Sequence, residues 1–292
     1  QIPKNGFLFF TSSLIKTGKY LSEKQLETES ERITAKLRDA GYYNFSKNYF
    51  FFQADTLAKR DSAKLLIQIL NYTRNEKPDE ARKHSKYLIN NVKIYTAYDP
   101  TEQTTQLYQN RDTTTIDNIE IISPEGGVIK PSVLYKMNQI RPGTLYSEKR
   151  VNNTYDRLLA LRLFSGVNLQ FDEQADYQND SSGYPGVNAT IRLTPSKMQG
   201  YKINIEASSN SNGLLGVSPA ISYYHKNIFR GGEWLNLGFM GNFQFKINDP
   251  VKSTELGVSA GISTPNFLLL PDRIFKNSVP RTEITLSYNY QN

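Results

Sequence analysis

QGYKINIEASSNSNGLLGVSPAISYYHKNIFRGGEWLNLGFMGNFQFK, residues Gln199–Lys246, decides how the chain is read. It holds three runs of alternating side chains joined by Gly, Asn and Arg punctuation. In the first run Tyr201, Ile203, Ile205 and Ala207 oppose Lys202, Asn204, Glu206 and Ser208. In the second, Val217, Pro219, Ile221 and Tyr223 oppose Ser218, Ala220, Ser222 and Tyr224. In the third, Leu235, Leu237, Phe239, Gly241, Phe243 and Phe245 oppose Trp234, Asn236, Gly238, Asn242, Gln244 and Lys246. A period of two, apolar on one side and polar on the other, is a half-buried β-strand. Two further runs repeat it: Thr254, Leu256, Val258, Ala260 and Ile262, then Thr282, Ile284, Leu286, Tyr288 and Tyr290. Both a soluble sandwich and a barrel with lipid outside and a wet lumen inside satisfy this pattern. Aromatics near the strand ends and a small-residue polar side favour lipid.

The turn between the second and third runs tips the balance. Asn227-Ile228-Phe229-Arg230-Gly231-Gly232-Glu233 resembles a hairpin near the start of the barrel in the Omp85 superfamily, the BamA/TamA-like outer-membrane assembly proteins. Thr264–Pro271 resembles the segment that closes a following hairpin there. On the residues alone, Gly231 and Gly232 supply positive φ for a tight turn. Glu233 is expected on the lumen side of the third strand.

Upstream, the pattern is α+β. Ser22 stands three residues before Gln25, a capping-box spacing, ahead of a helix whose inner residues are Leu26, Ile33, Leu37 and Ala40. The charged residues between them, Glu29 included, are expected to face solvent. Gly41 ends the helix. Strand-like runs follow at Asn48–Gln53 and Lys64–Tyr72, then a polar linker at Asn75–Lys86. Tyr87–Tyr95 reads as a strand, Thr96–Thr115 as a loop, and Ile116–Ile122 as another strand turning at Pro124–Gly127. Pro131–Met137 holds one or two helical turns. Ser147 caps a helix with Val151, Tyr155, Leu158 and Leu159 inward. Val167–Phe171 and Val187–Leu193 read as closing strands.

An internal echo links the two halves of this region. Gly18–Glu23 and Gly143–Glu148 each precede the longer helix, and Ala40–Tyr43 and Leu163–Val167 each follow it. The second set resembles the last POTRA module, the β-α-α-β-β repeat that precedes Omp85 barrels. The resemblance therefore implies α+β POTRA modules (β-α-α-β-β) followed by antiparallel strands of a truncated transmembrane β-barrel. The expected division is a module at 1–75 trimmed at its N-terminus, a second module at 76–196 with an inserted loop near 96–115, and the first barrel strands at 197–292. A closed barrel of the superfamily has about 16 strands, and Gly200–Asn292 holds about five at roughly 10 residues each, so a fragment or trimmed chain is expected. No signal peptide opens the chain, which points the same way.

Composition narrows the function classes. The net charge of +7 comes from dispersed Lys and Arg with no basic stripe interleaved with aromatics, so nucleic acid is not an expected partner. With no cysteine, thiol and disulfide chemistry are out. No apolar run reaches the roughly 20 residues of a membrane helix. His84 and His225 are the only histidines, far apart in sequence, and neither has a second ligand at helical spacing. No nucleophile elbow, phosphate loop or dinucleotide motif is present. The acid pairs Asp79-Glu80 and Asp172-Glu173 sit in loop-like sequence and read as solvation. No catalytic, metal or cofactor site is expected, and no enzyme activity.

What remains is edge-strand chemistry, in which unpaired backbone groups accept an extended chain. The POTRA resemblance implies two such edges. One is Asn48, Tyr49, Phe50, Phe51, Phe52 and Gln53; the other is Gly166, Val167, Asn168, Leu169, Gln170 and Phe171. The barrel resemblance implies a lateral-gate strand at Tyr201, Lys202, Ile203, Asn204, Ile205, Glu206 and Ala207. It marks Asn227, Phe229, Gly231, Gly232 and Glu233 as the superfamily's hairpin. The implied partners are unfolded outer-membrane protein clients, periplasmic or lipoprotein accessory subunits, and outer-membrane lipid. The implied setting is the bacterial outer membrane with the modules in the periplasm. The alternatives are a dedicated Omp85-type secretion transporter and a soluble α+β envelope binding or structural protein.

Overall fold

The computed structural model describes residues 13–59, 62–74, 77–99, 111–173, 183–209, 211, 213–246, 249–265 and 280–292. The fold is mixed α and β. By contact density the chain divides into two compact units, 1–92 with 140–152 and 171–189, and 93–139 with 153–170 and 190–292.

In the first unit, helix α1 (Glu23–Asp39) begins at the expected capping box, with Ser22 Oγ accepting from Gln25 N–H and Gln25 returning the bond. It ends where Gly41 takes φ +112°, a conformation open to glycine. Ile33 and Leu37 pack with Phe45 into a small core. Glu29 departs from expectation. It is 1 % exposed, bonded to Arg32 at 2.7 Å, and accepts the Leu14 N–H at 3.1 Å. The buried carboxylate is tolerable because both of its oxygens accept hydrogen bonds, from the Arg32 guanidinium and from Leu14 N–H.

Strands β1 (Phe50–Lys59) and β2 (Ser62–Ile69) form a two-stranded antiparallel hairpin pairing Phe50 with Ile69 and Phe52 with Ile67. Phe50 and Ile69 cover the α1 core. The strand starts later and runs longer than expected. Asn48 and Tyr49 lie in a single 3-10 turn, Lys47–Tyr49, capped by Ser46. The segment expected as a linker contains a second hairpin, β3 (Tyr72–Arg74) with β4 (Lys77–Arg82).

A five-stranded sheet follows, built from β5 (Leu88–Tyr95), β6 (Arg111–Ile116), β7 (Ile119–Pro124), β8 (Phe164–Glu173) and β9 (Gly186–Pro195), in the order β6-β7-β5-β9-β8. β6 corrects the expected loop at Thr96–Thr115; residues 111–115 are strand. The β6–β7 turn is Asp117-Asn118, both at positive φ (46° and 60°), the signature of a two-residue type I′ hairpin. Helices α2 (Pro131–Met137) and α3 (Glu148–Ala160) stand between β7 and β8 in the chain. Ser147 Oγ accepts from Arg150 N–H at 3.3 Å at the start of α3. The second unit's core holds Ile94, Ile119, Ile121, Leu134, Leu158, Leu161, Ile191 and Leu193. Tyr155, expected inward, is exposed, and Thr154 is buried instead, with its hydroxyl accepting from Gln139 N–H at 2.9 Å. Helical rotation puts Thr154 on the same side as Leu158 and Val151, four and three residues away.

The second unit also carries the C-terminal sheet: β10 (Gln199–Ser209), β11 (Leu214–Lys226), β12 (Trp234–Lys246), β13 (Asp249–Thr264) and β14 (Thr282–Gln291). These five strands are antiparallel and neighbour one another in chain order, as an up-and-down meander. No helix among the described residues is long and apolar enough to cross a membrane, which says nothing about strands.

Candidate functional site

The register of the C-terminal sheet aligns the alternating residues into rows. Ile203, Ile221, Phe239, Val258 and Tyr288 run across the five strands in one row, and Tyr201, Tyr223, Leu237, Ala260 and Leu286 in the next. On the opposite face Lys202, Ser222, Gly238, Ser259 and Ser287 form a row beside Asn204, Ala220, Met240, Gly257 and Asn289. A hollow of about 290 Å³ opens on the polar side, lined by Lys202, Asn204, Ser222, Ser259 and Asn289 among others. The apolar rows are left bare. Ile203 is 68 % exposed, Val258 54 % and Leu286 77 %. Isolated exposed Leu or Ile side chains are ordinary, but two adjoining rows of them form an apolar surface of the kind that meets lipid or another protein.

Tyr201–Ala207, the expected gate strand, lies in β10 at one edge of this sheet; among the described residues it pairs with β11 alone. Its tyrosine end is ordered by neighbours: the Tyr201 and Tyr223 rings stand 5.2 Å apart, and Tyr223 O–H donates to Gln199 Oε1 at 3.0 Å.

Gly166–Phe171 lies in β8, at one edge of the sheet of β5 to β9. Its far end is engaged. Tyr43 O–H donates to the Phe171 carbonyl at 3.3 Å, and the Phe171 ring packs against Tyr43 and Tyr146 at 5.8 and 5.4 Å. Asn44 donates to Glu173 and to the Tyr87 hydroxyl. Gln170 accepts from Arg192 at 2.6 Å. Among the described residues no strand pairs with the outer side of Gly166–Leu169.

Close by in the first unit is an ionic set. Asp39 accepts from the Ser147 hydroxyl and from Lys149 N–H, placing a carboxylate at the N-terminus of α3, where the helix dipole favours it. Arg38 pairs with Glu148 at 3.0 Å. Burial pushes the Tyr146 and Tyr43 phenols above their ordinary range. They remain neutral hydrogen-bonding groups.

The first candidate edge is divided. Phe50, Phe51, Phe52 and Gln53 are in β1, which among the described residues pairs with β2 alone. Asn48 and Tyr49 are not; the Tyr49 carbonyl accepts Leu70 N–H at 2.8 Å, and its ring packs with Phe45 and His84. Asn-Tyr-Phe is β-prone in sequence, but the Ser46 side chain accepts Asn48 N–H and a turn precedes the strand.

The hairpin Asn227–Glu233 is a closed hydrogen-bonded unit. Asn227, Arg230 and Gly232 take positive φ (75°, 64° and 89°); Gly231 does not. The expectation for the Gly pair therefore holds for Gly232 alone. A Cβ on Gly232 would also meet Pro265 Cγ at 3.2 Å and Leu161 Cδ2 at 3.3 Å, so glycine is required there for space as well as for φ. Asn227, buried, accepts from Gly232 N–H at 2.8 Å and donates to the Val128 carbonyl at 2.6 Å. Arg230 donates to the Gly127 carbonyl at 2.9 Å, and Lys130 N–H donates to the Arg230 carbonyl at 2.9 Å. Glu233 is not a lumen residue of the strand. It lies in the turn, before β12 begins, and its carboxylate accepts from Gly231 N–H at 2.9 Å. Phe229 projects outward and exposed. Of the Thr264–Pro271 resemblance, residues 266–271 lie outside the described residues.

Beside this turn, Trp234 has two cations close to its ring. The Arg162 guanidinium lies 5.6 Å and the Lys226 ammonium 5.4 Å from its ring. Arg281 donates to the Ala160 carbonyl at 3.3 Å. None of these partnerships was legible in the sequence. Gly126-Gly127 signalled a turn but not that its carbonyls would receive a hairpin about 100 residues downstream. His84 bonds the Leu70 carbonyl at 2.8 Å beside Phe45, and His225 sits in β11. Among the described residues no cluster of acidic and histidine side chains could hold a metal ion.

No protein-family model matches the sequence, and no curated protein matches it. Solved structures do. BamA from Haemophilus ducreyi lacking POTRA domains 1–3 matches at 12% identity over 100% of this chain and 49% of that one, with a TM-score of 0.48. CdiB from Acinetobacter baumannii matches at 11% identity over 94% of this chain and 65% of that one, TM-score 0.32. The N-terminal domain of Omp85 from Thermosynechococcus elongatus matches at 11% identity over 68% of this chain and 94% of that one, TM-score 0.20. The chain thus spans about half the length of the BamA structure it resembles.

Proposed function

We propose that this chain is the barrel-proximal part of an Omp85-type outer-membrane protein that inserts or translocates other proteins. The observation that carries the reading is the C-terminal sheet, with coherent apolar rows bare on one face and polar rows on the other. Such a sheet is stable with hydrocarbon against one side and water against the other. The segment from β5 to β9 gives strand, hairpin, two helices and two strands, which we read as a POTRA module enlarged by one hairpin. The preceding α1–β1–β2 segment is read as the back half of another. The modules then lie in the periplasm and the sheet in the outer membrane. No nucleotide or cofactor is involved.

Clients pair as extended chains with main-chain groups at β10 and at Gly166–Leu169, and with β1 from Phe50 to Gln53. Main-chain pairing reads little sequence, which suits varied unfolded clients. Accessory subunits and outer-membrane lipid are the other partners.

Photo-crosslinkers placed along Tyr201–Ala207 and Gly166–Leu169 of the functional full-length protein test this. Adducts with nascent outer-membrane proteins are expected at alternate positions. A functional protein that gives no client adducts at either strand overturns the mechanism.

A further inference from the structure

The turn between β11 and β12 (residues 227–233) and the loop between β7 and α2 (residues 125–130) both belong to the second unit. Three hydrogen bonds join them. Asn227 donates to the Val128 carbonyl at 2.6 Å, Arg230 donates to the Gly127 carbonyl at 2.9 Å, and Lys130 N–H donates to the Arg230 carbonyl at 2.9 Å.

One side chain serves both the turn and the docking. Asn227 Oδ1 accepts Gly232 N–H across the turn, and its Nδ2 donates to Val128 outside it. The partners fix the orientation of the amide, because an N–H needs an acceptor and a carbonyl needs a donor. Asn227 is buried, so breaking either bond leaves a polar group without water. Its φ of 75° lies in the left-handed region, where asparagine is one of the few non-glycine residues tolerated. Arg230 is left-handed too, at φ 64°, and that conformation disfavours an arginine. Arg230 N–H closes the turn on the Asn227 carbonyl at 3.2 Å, while its own carbonyl takes Lys130 N–H. Turn and docking thus depend on the same two residues. The receiving loop matches them: Gly127 takes φ +48°, and a Cβ there would stand 2.9 Å from Arg230 Nη2.

We infer that Asn227 is a positioning residue that makes closing the β11–β12 turn and docking it on the β7–α2 loop one event. The end of the C-terminal sheet and the loop then move as one body, and the joint opens only when the turn opens with it. Linkage makes the coupling reciprocal: docking stabilises the turn as much as the turn stabilises docking. The inference goes beyond the proposed function and does not rest on it, so each can fail alone.

Hydrogen exchange in the full chain tests it, with Lys130 N–H reporting docking and Gly232 N–H reporting the turn. In the unsubstituted chain the two should open together, with protection equal within roughly threefold. Asn227→Asp keeps an acceptor for Gly232 and loses the donor to Val128. At pH ~8 its Lys130 protection should fall roughly tenfold, while Gly232 keeps most of its own, so the two reporters separate. Protonating the new carboxyl restores a donor, so lowering the pH toward ~4 should bring them together again. The unsubstituted chain, with the same Glu125, Lys130, Arg230 and Glu233, should show no such change over that range. Unequal protection in the unsubstituted chain overturns the inference, as does a Lys130 amide indifferent to Asn227→Asp. A second measurement uses the absence of native cysteine. Spin labels at Ser132→Cys on α2 and Gln244→Cys on β12 should give a narrow distance distribution that broadens in Asn227→Asp at pH ~8. A broad distribution without that substitution also overturns it.

Discussion

The sheet of β5 to β9 and the sheet of β10 to β14 each have five strands and the same alternation of apolar and polar residues, yet their energetics are opposite. In β9 the alternate residues Val187, Ala189, Ile191 and Leu193 are all but inaccessible. In β10 the equivalent Tyr201, Ile203 and Ile205 are mostly exposed. Fully burying one large apolar side chain contributes about 1.5–3 kcal/mol. The first sheet realises that gain within the chain. The second does so when an apolar phase or partner is laid against it. Alternation therefore specifies strand and register, and a separate fact, whether helices are supplied to cover the face, determines the environment the sheet requires.

The largest effect should come from removing a piece of the cover. Leu158, inaccessible on α3, should cost about 2–5 kcal/mol when changed to Ala. Leu286→Ala, on the bare face, should change stability by less than about 0.5 kcal/mol without lipid or detergent. Pulse proteolysis in urea, resolving fragments that carry α3 from fragments that carry β14, reads both. Equal losses would mean that the C-terminal face is packed in a protein core, and the contrast between the sheets would collapse.

Adding a charge sharpens the contrast from the other side. Val258 and Ser259 are neighbours in β13 on opposite faces, the first in an apolar row, the second in a polar one. If lipid covers the apolar face, Val258→Arg near its middle costs about 2–4 kcal/mol and depletes the vesicle-bound fraction in flotation assays. Ser259→Arg should float as the unsubstituted chain does. Equal behaviour of the two variants rejects a lipid-facing sheet.

Strand existence was legible in the C-terminal region because alternation there is uninterrupted and each run ends in Gly, Asn or Pro. It was less legible upstream of residue 197, where local and tertiary effects compete. Arg111-Asp112-Thr113-Thr114-Thr115 has little apolar content, and it is strand because Asp117-Asn118 makes a type I′ turn and Ile119 and Ile121 anchor its partner in the core. Glu29 was assigned to solvent by its charge, but Arg32 and the Leu14 N–H, on separate parts of the chain, make burial affordable. Asn227 was recognisable as part of a motif. Its work, bonding Gly232 within the turn and Val128 outside it, depends on a distant carbonyl that no local pattern encodes.

Glu29 gives the pair of regions different responses to acid. The Arg32 hydrogen bonds, helped by Leu14 N–H, hold its carboxyl down from 4.5 to about 2 against the opposing effect of burial. A depressed acid contributes stability that is complete above its unfolded pKa and is lost as pH falls through that value toward the folded one. The contribution here is at most about 3 kcal/mol, present above pH ~4.5 and gone below pH ~2. Urea midpoints of the α1 region should fall across that window, and Glu29→Gln should flatten the fall. An unchanged slope in Glu29→Gln would assign the acid sensitivity to other groups.

The smallest expected effect bears on the two candidate client strands, β8 and β10. β10 pairs on one side along its length, whereas β8 has its Phe171 carbonyl held by Tyr43. Tyr43→Phe deletes that hydroxyl and keeps the ring in contact with Tyr87, Tyr146 and Phe171. The stability loss should be about 0.5–1.5 kcal/mol, the net worth of one hydrogen bond. The informative readout is where clients attach. Removing the hydroxyl releases an acceptor at the end of the β8 edge, so client crosslinks should extend from Gly166–Leu169 to Phe171 while those on β10 stay as they were. If the β8 pattern does not move, the Tyr43 bond does not limit that edge, and the difference drawn between the two strands must come from their side chains instead.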